Sequence, residues 1–124
     1  MTTPCGHTRH RLIKNFTSLG PYLREGQCHD FYFFFDCLAV CVDVKAEPEK
    51  REFWGWWLDL DAQGQSMTYS YRYGLFDEAG NWSEIKFKDK AITEKLHITR
   101  ENFHKRLEVL VQQLDPPYSL TERS

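Results

Sequence analysis

Long hydrophobic runs are missing from this sequence: nowhere do about 18 apolar residues follow one another, as a helix crossing a bilayer requires. The opening MTTPCGHTRHRLIKNF also lacks the apolar stretch of a secretion signal, so a soluble, cytoplasmic chain is expected. A surplus of positive charge is missing too. Sixteen Lys and Arg against 18 Asp and Glu give a formal charge of −2, which excludes the broad basic surface that non-specific nucleic-acid binding needs. Direct recognition of duplex DNA is therefore not expected. The four cysteines, Cys5, Cys28, Cys37 and Cys41, form neither a CxxC nor a zinc-ribbon spacing. Cys37 and Cys41 fall in a stretch read below as a strand, where four residues span roughly 13 Å, too far for a disulfide or a shared metal. Cys28, Cys37 and Cys41 are read as structural thiols in a reducing compartment.

Catalytic and ligand motifs are equally scarce. There is no GxSxG, no phosphate-binding glycine loop and no cysteine with an evident histidine partner, so an enzyme is not expected. The run Asp59-x-Asp61-x-Gln63-Gly64 opens like an EF-hand loop but carries Ser70 where a bidentate Glu is needed, and its flanks read as strands. A turn explains it. His97, Glu101, His104 and Glu108 share a helical stripe, yet the two histidines stand seven apart and on what reads as the polar face. No metal and no cofactor is expected. Asn15 and Asn81 begin glycosylation-like triplets that mean nothing without secretion.

What the chain does have is aromatic side chains: 15% of 124 residues, with four Trp and nine Phe. The length suits one domain spanning residues 1–124. Leu12, Ile13, Phe16 and Leu19 recur at helical spacing before Gly20-Pro21, which predicts a helix over about Thr8 to Leu19. Arg9, Arg11, Lys14 and Arg24 all precede the first acid, Glu25, so this end is locally basic; a solvated helix face accounts for it, and an acidic partner is the sharper alternative.

Phe31 to Val44 is apolar at odd and even positions alike, as in a central strand covered on both faces, with Asp36 the exception that needs a partner. Lys45 to Glu52 is a charged loop. Phe53 to Leu60 predicts a second strand, and Asp61 to Gln65 a turn. Met67, Tyr69, Tyr71, Tyr73 and Leu75 alternate with smaller or polar residues, the clearest period of two in the chain. A hairpin loop at Asp77 to Asn81 then leads to a short fourth strand over Trp82 to Phe87. Ile92, Leu96, Phe103, Leu107, Leu110 and Leu114 follow helical steps, with Thr99 a candidate start for a separate helix, and Pro116 to Ser124 reads as a mobile tail. The expected fold is α+β: a single four-stranded antiparallel meander with N-terminal and C-terminal helices packed on it.

Two helices shield one face of such a sheet, so some of Phe53, Trp54, Trp56, Trp57, Tyr71 and Trp82 are expected at an edge or on the open face. Exposed rings beside arginine are an interface composition. Two other uses of the rings are weighed: a single-stranded nucleic-acid-binding module with bases stacked on the open sheet, which the net acidity opposes, and a small-ligand sensor, which no spacing supports.

LIKNFTSLGPYLREGQC (Leu12 to Cys28), FFFDCLAVCVDVK (Phe33 to Lys45), REFWGWW (Arg51 to Trp57), TYSY (Thr68 to Tyr71) and GLFDEAGNW (Gly74 to Trp82) together resemble the Crl family. The likeness is nearly unbroken from Arg11 to Trp57, resumes through Trp82 and thins after Ser83. It implies a transcription activator that binds domain 2 of the stationary-phase sigma factor, sigma S, and promotes its assembly with core RNA polymerase without reading promoter sequence. It further implies a tether to the β′ clamp of the polymerase; a monomer is expected. Sigma-binding residues carried over by identity are Tyr22, Arg24, Arg51, Phe53, Trp56 and Trp82. Arg51 closes a charged loop and directly precedes the aromatic strand, so it is expected to be exposed, its guanidinium fork facing an acidic sigma segment.

Overall fold

The computed structural model describes residues 8–114 and 117–123. Helix α1 (Arg9–Thr17) starts where Thr8 accepts a hydrogen bond from the Arg11 N–H at 3.1 Å, and it turns Leu12, Ile13 and Phe16 inward. Four strands follow: β1 (Tyr32–Cys41), β2 (Phe53–Gln63), β3 (Ser66–Phe76) and β4 (Trp82–Glu84), each antiparallel to the one before. Gly64, at φ 59°, supplies the left-handed residue of the tight β2–β3 turn, which lets both strands run longer than their apolar patterns indicate.

The C-terminal third departs from expectation in three ways. The fourth strand stops at Glu84, and 85–89 run on without regular structure. The helical region is a single helix, α2 (Lys90–Gln113), capped by the Asp89 side chain; Thr99 lies inside it, where its hydroxyl donates to the Leu96 carbonyl at 2.9 Å. Within the expected tail, Ser119–Glu122 form a fifth strand, β5, parallel to β3 against Ser66 to Tyr69. Among the described residues the sheet therefore has five strands and is mixed. β4 and β5 share the outer edge of β3, one at each end.

Both helices lie on one face. Phe16 of α1 packs edge-on against Phe33 and Phe35, and Phe103 of α2 lies against Phe35 and Trp56. Leu58, Leu60, Met67, Leu107 and Val111 complete this buried layer, and Tyr118, just before β5, joins it. β1 is buried on both faces only from Phe33 to Asp36; past a register shift between Leu38 and Val40 it is half-exposed. Its continuous apolar pattern thus overstates its cover, because among the described residues no second layer lies over the open face.

Candidate functional site

The register sets out the open face in rows. Cys41, Phe53, Phe76 and Trp82 stand side by side across four strands; Leu38, Gly55, Gly74 and Glu84 form the next row; Asp36, Trp57 and Arg72 the third. The glycine row makes room for a ring. A Cβ on Gly55 would sit 3.0 Å from the Trp82 indole and 1.9 Å from the Cys37 carbonyl oxygen, so only glycine allows Trp82 to lean across β2. From there Trp82 lies 4.9 Å from Trp57 and 5.2 Å from Phe76, centroid to centroid.

Trp82 leans toward an acid. Its Nε1–H donates to Asp36 Oδ2 at 3.1 Å, while Arg24 Nε donates to Asp36 Oδ1 at 2.5 Å. The Asp36 side chain is 3% exposed and that of Arg24 39%, so a buried carboxylate holds a half-exposed cation and an indole in one array. Asp36 thereby has the partners its position in β1 demanded. Cys28 steadies the other end: its thiol accepts the Phe34 N–H at 3.3 Å and donates to the Arg24 carbonyl at 3.4 Å, tying the Arg24 segment to β1. Burial pushes the Cys28 and Cys37 thiols above their ordinary pKa. Cys28, Cys37 and Cys41 are all free and half-buried.

The six residues expected at a sigma interface divide. Arg24, Phe53 and Trp82 share the open face. Trp56 and Tyr22 do not: they stack at 6.1 Å with an interplanar angle of 18° on the helix side. Trp56 is 0% exposed, and its Nε1–H donates to Thr99 Oγ1 at 3.0 Å. It is a core residue, because even positions of β2 face α2. Tyr22 is half-buried, its hydroxyl accepting from Arg106 at 3.2 Å.

Arg51 is less exposed than expected. It is half-buried, its Nε donating to the Ala46 carbonyl at 3.0 Å and its Nη2 to that of Val44 at 3.1 Å. The guanidinium fork closes its own loop. That closure presents apolar residues the charged pattern conceals: Val42 is 38% and Val44 70% exposed, beside Leu38 at the β1 end. Their alternation with Asp43 and Lys45 was the available signal. The nucleic-acid reading loses its platform here, since Trp56 is in the core and Trp57 is 8% exposed.

One member of the histidine stripe is relocated, while His97 and Glu108 stay exposed. His104 faces the sheet, not solvent, with its ring 4.9 Å from Tyr69 and its Nδ1 2.8 Å from the Tyr71 hydroxyl. Burial lowers its pKa and raises that of Tyr71, so a neutral imidazole and a neutral phenol share this bond. No group of metal-ligating side chains comes together among the described residues. Among the described residues, no helix is long and apolar enough to cross a membrane.

The family model for the sigma factor-binding transcriptional regulator Crl matches residues 1–124. The chain belongs to the Crl family. A protein of Vibrio cholerae serotype O1 named sigma factor-binding protein Crl is 46% identical over 100 residues, covering 81% of this chain and 77% of its own. Its namesakes in Vibrio vulnificus and Photobacterium profundum are 38% and 42% identical over 114 residues, covering 92% and 91% of this chain and 85% of theirs. The Crl family is one of transcriptional regulators and not of enzymes.

Proposed function

We propose that this chain activates transcription by binding domain 2 of sigma S and favouring its assembly with core RNA polymerase, with no promoter contact of its own. The observation that carries the reading is the Arg24–Asp36–Trp82 array on the face opposite α1 and α2, flanked by Phe53 and the Arg51-closed loop. A cation and rings pre-positioned by a buried acid lose little side-chain freedom on docking, which is how a small patch becomes a strong one. Trp82 and Phe53 supply the apolar anchors, and Arg24 retains donors for an acidic segment of sigma. Arg51 acts through the shape of its loop, and Tyr22 and Trp56 through the packing beneath. A ligand that prefers the core-competent form of sigma raises sigma's affinity for core by linkage; about 1–3 kcal/mol of coupling is roughly five- to 150-fold. The effect is largest when sigma is scarce. In the holoenzyme the monomeric protein would also tether sigma to the β′ clamp.

Calorimetric titration with purified sigma S domain 2 tests this. Trp82→Ala, Arg24→Ala and Phe53→Ala, each checked for an intact melting transition, are expected to weaken binding at least tenfold, and the wild-type protein alone to leave a promoter duplex unshifted in a gel. Wild-type affinity in all three variants would remove the open face from the interface.

A further inference from the structure

A second surface lies at the other side of the sheet. Where β4 ends, the Ile85 N–H makes a last bond to the Tyr73 carbonyl at 2.9 Å, and the chain then leaves β3 to start α2. The divergence opens a groove of about 680 Å³ between the β3 edge, 85–88 and the first turns of α2. Tyr73, Ile85, Phe87 and Leu96 give it apolar walls, extended by the edge contact of Phe87 with Trp54 at 6.4 Å. This size is within the ~300–1,000 Å³ of pockets that enclose ligand-sized groups.

The rim is basic. Arg72, Lys86, Lys88 and Lys90 line it against Glu84 and Glu94, two positive charges in excess on a chain whose total is −2. None of those four cations takes part in an ion pair among the described residues. Their charge is therefore uncommitted, and the sequence Ile85-Lys86-Phe87-Lys88 pairs each cation with an apolar neighbour.

We infer that this groove, which meets the open face only at Arg72 and Glu84 on the β3–β4 edge, is a docking site for an acidic protein segment carrying one or two large apolar side chains. The apolar walls take the side chain, and the lysines meet carboxylates on either side of it. A phosphate polymer is the less suited occupant, because Glu84 and Glu94 interrupt the positive rim and the walls offer stacking area chiefly at Tyr73 and Phe87. The inference does not depend on sigma being the partner of the open face.

Fluorescence anisotropy tests it with three labelled probes: a peptide of about 12 residues alternating Glu with Leu and Phe, the same peptide with Lys for every Glu, and an oligothymidylate of about 12 nucleotides. The acidic peptide is expected to bind in the micromolar range, at least tenfold more tightly than the basic one, and to weaken as salt rises. The double substitution Lys86→Glu/Lys88→Glu is expected to reduce that binding at least tenfold without moving the melting temperature, since both side chains are exposed. No binding of the acidic peptide, equal binding of both peptides, an indifferent double variant, or tighter binding of oligothymidylate each overturns the inference.

Discussion

Trp56 and Trp82 illustrate how two residues of one type divide the labour. Trp56 touches Tyr22, Tyr71 and Phe103 and has no exposed surface. Trp56→Ala is therefore expected to lower unfolding free energy by about 3–5 kcal/mol in urea titration, as deletion of a buried large ring does. Any loss of sigma binding in that variant should track the unfolded fraction. Arg51 belongs to a different class, because it holds backbone and not a core. With Arg51→Ala the carbonyls of Val44 and Ala46 lose their donor, so the loop amides over 43–50 are expected to exchange hydrogen faster while the melting temperature changes little. Arg51→Lys should restore that protection only in part, since one ammonium does not reproduce a two-pronged fork. Unchanged exchange in Arg51→Ala would show that the loop does not depend on it.

Among the elements, β5 most changes the picture of the sheet. It covers the part of the β3 edge that β4 does not reach, and Arg123 pairs with Asp61 of β2 just beyond it. Tyr118, 2% exposed, anchors the start of β5 to the core, with its N–H bonded to the Val111 carbonyl at 2.9 Å. A chain ended after Leu114 is expected to melt several degrees lower, on the order of 4–8 °C per kcal/mol for a domain near this size. Exchange protection should fall first at Ser66 to Tyr69, whose ladder β5 completes. An unaltered melting temperature would mean that β5 adds nothing to stability. The open-face array, held by β1, β2 and β4, should survive the truncation and still bind sigma.

At the scale of the whole molecule, His104 couples folding to pH near neutrality. His104 lies between the sheet and α2, and burial outweighs the raising influence of Glu108 3.8 Å away, so its folded pKa is below the ordinary 6.5. Arg100 also lowers it, while Glu101 and Glu122 raise it. The unfolded chain therefore takes up the proton first as pH falls. Stability from this group is complete above about pH 6.5 and declines through the interval down to the folded pKa. Melting temperatures followed from pH 7.5 to 5.5 should fall, and His104→Gln, which keeps a partner for the Tyr71 hydroxyl but does not titrate, should flatten that slope. An identical slope in the variant would assign the pH dependence to other groups.

Much of this architecture is legible in the residues alone. Thr8 and the spacing of Leu12, Ile13 and Phe16 place α1; the alternation from Met67 to Leu75 places β3; and Asp36, a lone acid in an apolar run, announces a bonded carboxylate. These signals are local, carried by neighbours three, four or two positions apart. Periodicity reports which side chains share a face; it does not report which face another element will cover. The position of α2 decided that Trp56 is core and that Trp57 and Trp82 lie on the opposite face. Likewise β5 is four residues with a weak pattern of its own, and it becomes a strand because the β3 edge, some 50 residues earlier, offers unpaired backbone. The acceptors of Arg51, the two donors on Asp36 and the inward turn of His104 are of the same kind. Each depends on contacts between segments that only the packed chain brings together, so sequence determined the elements and tertiary structure determined their uses.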